Sequence, residues 1–225
     1  MMGATHDTLL FDLDGTLTDT DALHFEAYRL LLDRFGIAIA HADYKTRIMG
    51  ATNDAIMGWL FPNEPAAVHR ERGDEKERLF RSLAKQMTPT HGLPALLAWA
   101  ERCRIKTAVV TNAPRANADM MLAALGLATR FPVLVIGDEL ARGKPDPLPY
   151  TTALQRLDAR AERAFAFEDS GAGVRAATAA GVATIGLLTG LDAVALRQAG
   201  AVASIRDFTD PWLSRTLAAG FGSAP

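Results

Sequence analysis

Cysteine is almost absent from this 225-residue chain, which carries only Cys103. One thiol cannot close an intramolecular disulfide, so a secreted disulfide scaffold is not expected and the reducing cytoplasm is the simplest setting. No set of Cys and His has zinc-binding spacing. No apolar run approaches the roughly 20 residues of a membrane helix, and Met1 to Asp7 lacks a cationic flank leading into an apolar signal core. Neither membrane insertion nor secretion is therefore expected. An excess of one charge is also missing: 24 Lys and Arg face 26 Asp and Glu, for a net charge of -2. Nucleic acid and membrane surfaces find no electrostatic foothold, and a small soluble partner is the expectation. There is no G-x-x-x-x-G-K-[ST] loop, which argues against a nucleotide-hydrolysing engine. Internal repeats and low-complexity tracts are lacking too.

What the chain does have is apolar residues, 49% of the total, enough for one filled core carrying a smaller insert. Five short apolar runs lack in-out alternation: Leu9 to Phe11, Ala108 to Val110, Val133 to Ile136, Ala164 to Phe167 and Ala183 to Leu188. They read as strands covered on both faces. Helical periodicity fills Pro114 to Leu125, Pro147 to Leu157 and Gly171 to Ala180. Strands alternating with helices predict a doubly wound α/β core with a mostly parallel sheet. Between Leu17 and Ile105 no strand-like run occurs, while Asp21 to Phe35 and Asp74 to Gln86 have helical pattern, the first with Asp19 or Thr20 available as cap. The spacing thus predicts an inserted all-helical unit at residues 19–90, with the core formed by 1–18 and 91–225. Leu93, Leu96, Leu97, Ala100 and Cys103 share one face of a further helix, which places the cysteine in the core. The small, glycine-containing tail from Ala218 to Pro225 is expected to fray.

Three of the strands run into polar residues: Asp12-Leu13-Asp14, Thr111-Asn112 and Glu168-Asp169-Ser170. In an open parallel sheet these carboxyl ends line the ligand crevice. Carboxylates gathered there repel one another unless a cation sits between them, and magnesium suits such an oxygen-rich site better than zinc. Asp12 and Asp14 stand two apart, so one can attack while the other handles protons. Gly15 permits a sharp turn after the strand, and Thr16 is placed to fix it. Thr111, Asn112 and Lys144, the last in Gly143-Lys144-Pro145-Asp146-Pro147, could together hold a phosphoryl group. Each has a plain structural reading as well, Thr111 as a helix cap and Lys144 as a solvated loop lysine.

In this order, Asp12-Leu-Asp14-Gly-Thr, Val-Val-Thr111-Asn112, Gly-Lys144-Pro-Asp-Pro and Phe-Glu168-Asp169-Ser resemble the four motifs of the haloacid dehalogenase superfamily. The resemblance implies a Rossmann-like core and a small-molecule phosphatase, with Asp12 as nucleophile and Asp14 as general acid and base. It makes Thr111 and Lys144 phosphate ligands, and implies an Mg2+ site of Asp12, the backbone carbonyl of Asp14, Glu168 and Asp169. An insert directly after the first motif is similar to the helical cap of the subclass containing phosphoglycolate phosphatase and β-phosphoglucomutase, which closes over the core and selects substrate. Thr18-Asp19-Thr20 followed by His24-Phe25 resembles the mutase segment whose histidine contributes to substrate binding; as a plain helix residue, His24 would face the core. Where the mutase carries a lysine and an arginine that grip a second phosphate, this chain has Met49 and Asn53, which disfavours the mutase alternative unless Arg47 or Arg115 substitutes. Lys76, with Phe80 one turn on, aligns with a further cap lysine. Asp14 and the Glu168-Asp169 pair favour phosphate chemistry over carbon–halogen cleavage. The expected substrate is a small phosphorylated metabolite, a sugar phosphate or a short phosphorylated acid.

Two other classes compete. Gly171-Ala-Gly173-Val-Arg-Ala176 fits a dinucleotide-binding fingerprint and has Asp192 downstream, so an oxidoreductase is conceivable, but Glu168 and Asp169 would repel a pyrophosphate. A phospho-accepting signalling module would use a similar acidic magnesium site, but in another motif order and without the large insert.

Overall fold

In the computed structural model residues 6–221 are described. Six strands, β1 (Thr8–Phe11), β2 (Lys106–Thr111), β3 (Val133–Ile136), β4 (Ala164–Glu168), β5 (Ala183–Leu187) and β6 (Ala203–Ile205), lie in the order β3-β2-β1-β4-β5-β6. Every neighbouring pair is parallel. The five apolar runs are the first five strands. β6 escaped the sequence pattern because it is a three-residue edge strand, too short to show a period.

Side chains alternate across the sheet, so the central strand feeds two cores. Leu9 and Phe11 pack on one face with Leu96, Trp99, Met121, Leu213 and Leu217, from α5 (Leu93–Arg102), α6 (Arg115–Ala124) and α10 (Pro211–Phe221). Leu10 packs on the other with Tyr150, Ala153, Ala176 and Ala177, from α7 (Leu148–Arg156) and α8 (Gly171–Ala179). Burial on both faces is why these strands lack alternation. A short helix, α9 (Ala193–Ala199), precedes the β6 edge.

The region between β1 and β2 contains no strand of the sheet. It holds α1 (Asp21–Asp33), α2 (His41–Asp43) running into a π turn at Tyr44–Ile48, α3 (Asn53–Leu60) and α4 (Ala66–Leu83), before α5 returns the chain to the core. Tyr28, Leu31, Leu32, Tyr44, Ile48, Ile56, Met57 and Phe61 give these helices an apolar centre of their own. The helix expected at Asp74 to Gln86 is α4, which runs from Ala66 to Leu83; polar His69, Arg70, Glu71 and Arg72 and then Gly73 obscure its early period. Arg72 is a covering residue here, its guanidinium lying over the rings of Phe35 and Phe61.

Two further expectations are corrected. Cys103 is exposed and not in the core: α5 ends at Arg102, and the chain turns away through Arg104, whose φ is 57°. Trp99 fills the buried face in its place. The tail does not fray from Ala218, since α10 continues to Phe221 with Leu217 buried. The rest of that tail, and Met1 to Thr5 of the segment read for a signal, lie outside the described residues. Among the described residues no helix is long and apolar enough to cross a membrane.

Candidate active site

The register of the sheet assembles the site. Phe11 is level with Val109 on one side and Phe167 on the other, so Asp12, Thr111 and Glu168 emerge together at the carboxyl edge. Strand order also reverses about β1: β2 and β3 lie on one side, β4 to β6 on the other. Such a switch point opens a crevice. Here it is a cleft enclosing about 660 Å³, its solvent-open mouth included, lined by Asp12, Asp14, Thr111, Asn112, Lys144 and Asp169 from the core and by His24, Lys76 and Glu77 from the insert.

Lys144 forms the electrostatic centre. Only 3% exposed, its ammonium donates to Asp12 Oδ1 and to Glu168 Oε1, each at 2.6 Å. The two carboxylates hold the lysine pKa above its ordinary value against the opposing effect of burial. Tyr150 donates to Glu168 Oε1 at 2.5 Å. The solvated-lysine reading of Lys144 therefore fails.

Asp12, Glu168 and Asp169 each present a carboxylate oxygen within 4.8 Å of the others. One lysine does not neutralise three carboxylates. Burial, with Glu168 and Asp14 nearby, pushes the Asp12 carboxyl up to about 8 even though Lys144 opposes the change. Burial and the neighbouring Asp12 drive Asp169 well above the ordinary carboxylate range. A hard, oxygen-preferring cation fits this donor set and would relieve the repulsion.

Two glycines make the cluster possible. Gly15, at φ +71°, has no side chain, and a Cβ there would lie 2.1 Å from Asp169 Oδ2. A Cβ at Gly173 would fall 1.9 Å from Glu168 Oε2, so the glycine of the fingerprint-like segment makes room for a carboxylate at the start of α8. That is where a dinucleotide phosphate would have to sit, and Asp192 is occupied in capping α9, accepting from Ala195 N at 2.8 Å. The oxidoreductase reading loses its site. Thr16 does not fix the turn as expected: its hydroxyl is buried without a hydrogen-bond partner. Backbone bonds hold the turn, Gly15 N to Thr18 O at 2.8 Å and Leu17 N to Leu13 O at 2.9 Å.

Asp14 faces the insert. Its Oδ1 accepts from the Thr20 hydroxyl at 2.6 Å and meets His24 Nε2 at 2.9 Å. Burial alone would raise its pKa, but His24 and Thr20 hold it below the ordinary value. Thr20 thus stands at the N-cap position of α1 without capping by its side chain, because its hydroxyl is spent on Asp14. His24 stacks on Phe80 with centroids 3.9 Å apart, and its Nδ1 lies 2.9 Å from the Lys76 ammonium. An ammonium only donates, so Nδ1 accepts and the ring proton sits on Nε2, facing Asp14.

Asn112 is fully engaged. Its Nδ2 donates to Gly50 O of the insert and to Lys144 O, and its Oδ1 accepts from Lys144 N, all at 3.0 Å. Both amide hydrogens are spent on backbone, so the residue positions the Lys144 loop. Thr111 Oγ1 accepts from Ala113 N at 2.9 Å, which leaves its own hydrogen for the cleft.

The sequence profile of the haloacid dehalogenase-like hydrolases matches residues 9–187. The chain belongs to that family. A phosphorylated carbohydrates phosphatase of Thermotoga maritima is 37% identical to this hydrolase over 207 residues, covering 89% of this chain and 94% of the relative. The β-phosphoglucomutase of Bacillus subtilis is 30% identical over 188 residues, covering 80% and 82%. Among solved structures, a hydrolase from Pseudomonas syringae superposes with a TM-score of 0.83 at 26% identity, covering 91% of this chain and 95% of that one.

The site of this hydrolase contains residues the sequence left unremarked: Tyr150, Glu77, Asn117 and Tyr28. Each sits on a helix face as an ordinary helix residue would, and no local signal separates them. Arg47 and Arg115, considered as replacements for a phosphate-gripping arginine, do not line the cleft. Arg47 lies over Trp59, and Arg115 is held by Glu139 at 2.7 Å.

Proposed function

We propose that this chain is a magnesium-dependent phosphatase of small phosphate monoesters, working through an aspartyl-phosphate on Asp12. The observation that carries the reading is the Asp12 carboxylate at the foot of a small-molecule cleft, between the Lys144 ammonium and an acidic metal-type cluster. Core residues 1–18 and 91–225 supply this floor and residues 19–90 act as the cap.

In the first step an Asp12 carboxylate oxygen attacks phosphorus and the ester P–O bond breaks. The departing alkoxide takes its proton through Asp14; His24 and Thr20 hold that carboxyl below its ordinary value, so it must first be protonated, and the His24 Nε2 proton across a 2.9 Å contact is in position to supply it. In the second step Asp14 takes a proton from water, the water oxygen attacks phosphorus, and the bond to Asp12 breaks to release phosphate. Lys144 and Thr111 neutralise the remaining phosphoryl oxygens. Magnesium, held by Asp12, Glu168, Asp169 and the backbone carbonyl of Asp14, supplies the rest of that neutralisation when bound. Asn112 keeps Lys144 in place.

A mutase of the β-phosphoglucomutase type is the second reading, motivated by the Bacillus subtilis relative. Among the described residues no arginine lines the cleft, so a bisphosphate intermediate would be gripped at one end only, and hydrolysis is favoured. Phosphate release from a panel of phosphorylated metabolites with magnesium tests both. We expect release that is abolished in Asp12→Asn; conversion of β-glucose 1-phosphate to glucose 6-phosphate with little free phosphate would establish the mutase instead.

A further inference from the structure

Beyond the phosphate end, the cleft carries a charge balance set by a residue outside the four motifs. Lys76 and Glu77 are adjacent on α4 and both are buried, 3% and 4% exposed. The Lys76 ammonium donates to Glu77 Oε1 at 3.0 Å as well as approaching His24. Asn117 of α6 donates to Glu77 Oε2 at 2.6 Å, reaching across from the core. Burial pushes Glu77 upward, but Lys76 beside it holds its pKa below the ordinary value, so it stands ionised.

The cation on the cap side is thus already neutralised, and the one on the core side, Lys144, is shared by two carboxylates. Asp14 and Asp21 add further negative charge to the lining. Arg81 donates to Asn117 Oδ1 at 2.6 Å and does not line the cleft. What remains uncommitted is neutral: the Tyr28 hydroxyl is buried with no hydrogen-bond partner although Tyr28 lines the cleft, while the Asn53 side chain, which lines it too, is hydrogen-bonded to Glu77. A carboxylate on the leaving group would enter a space without a free counter-charge and beside Glu77, whereas a substrate hydroxyl can meet the Tyr28 hydroxyl.

We propose that Glu77 sets the charge class of the substrate, so that this enzyme takes phosphate esters of neutral polyols and rejects phosphorylated acids. The proposal rests on the phosphatase reading for its chemistry, but its discrimination is a property of binding. Matched ligand pairs test it: sorbitol 6-phosphate against 6-phosphogluconate, and glycerol 3-phosphate against 3-phosphoglycerate. Each pair differs by a terminal CH2OH in place of a carboxylate. Affinity is read by calorimetry on the magnesium-loaded Asp12→Asn protein, where no turnover is needed, with and without Glu77→Gln; kcat/KM is read on the Asp12 enzyme. The polyol ester should bind at least about tenfold tighter in one or both pairs, and Glu77→Gln should shrink that preference about tenfold, mainly by strengthening the acid. Equal binding within both pairs, including no measurable binding by any member, or an unchanged preference in a folded Glu77→Gln protein, overturns the proposal. Should Glu77→Gln not fold, the Glu77-containing protein's preference alone decides. Selective binding without turnover by the Asp12 enzyme would instead defeat the phosphatase reading and leave this one standing.

Discussion

Replacing Asp12 by asparagine removes one negative charge from a buried set in which Glu168 and Asp169 hold oxygens within 4.8 Å of its own. The metal-free protein should become more stable as a result. A carboxyl raised from its ordinary 3.8 to about 8 binds its proton more tightly in the folded chain than in the unfolded one. Its contribution is therefore whole at low pH and is lost as pH rises from about 4 through about 8. At about 1.4 kcal/mol per pH unit, the loss by pH 8 would reach about 5 kcal/mol if Asp12 carried it alone. Glu168 and Asp169 share the repulsion, and the amide gives Lys144 no counter-charge, which leaves a net gain of about 2 kcal/mol. Urea unfolding in EDTA at about pH 5 and pH 8 measures it. The variant should exceed the Asp12 protein at pH 8 by more than at pH 5, and magnesium should narrow the gap by stabilising the carboxylate form. A variant less stable at pH 8, or a gap that ignores pH, would refute this account of the cluster.

Magnesium binding should itself depend on pH: with Asp12 and Asp169 both raised, a proton must leave as metal enters. The apparent affinity should rise up to about tenfold per unit between pH 6 and 8, and calorimetry in buffers of different ionisation enthalpy would show the released protons; flat binding would contradict it. Gly173→Ala should disable the cluster, because the new methyl would occupy the place of the Glu168 carboxylate. We expect a loss of about 3 kcal/mol or more in urea unfolding with weakened magnesium binding, and a neutral outcome would mean that Glu168 has another place to go. Tyr150→Phe, which removes the hydroxyl on Glu168, should cost about 1.5–3 kcal/mol of stability, measured the same way.

The core of this site was legible because its residues sit where the pattern changes, at the ends of apolar strands. Asp12, Thr111 and Glu168 needed only the inference of a parallel sheet to be brought together. Lys144 was read both as a phosphoryl partner and as a solvated loop lysine, and the two buried carboxylates around it decide between them. The insert was legible as helices, and of its cleft-lining residues His24 and Lys76 were named through the resemblance while Glu77 was not. Glu77 and Asn117 are 40 positions apart, and each looks like the polar face of its own helix; only docking of α4 against α6 makes them one group. Asn112 was read as a ligand from its strand-end position, yet its amide is consumed by backbone, a distinction no spacing could reveal.

The place of β1 in the sheet bears on how the chain assembles. It is made first, yet it is the central strand, and its two edges are filled by Lys106–Thr111 and Ala164–Glu168. A chain growing from its N-terminus therefore carries an apolar strand with both edges open until Thr111 has been synthesised, and with one edge still open until Glu168 has been. The insert, with contacts closer in sequence, has all its helices before β2 appears. Helices of low contact order form quickly, and parallel pairing across long separations is slow. The same insertion that roofs the cleft thus delays closure of the sheet, and the interval in which Leu9, Leu10 and Phe11 await partners is when this protein is most exposed to aggregation.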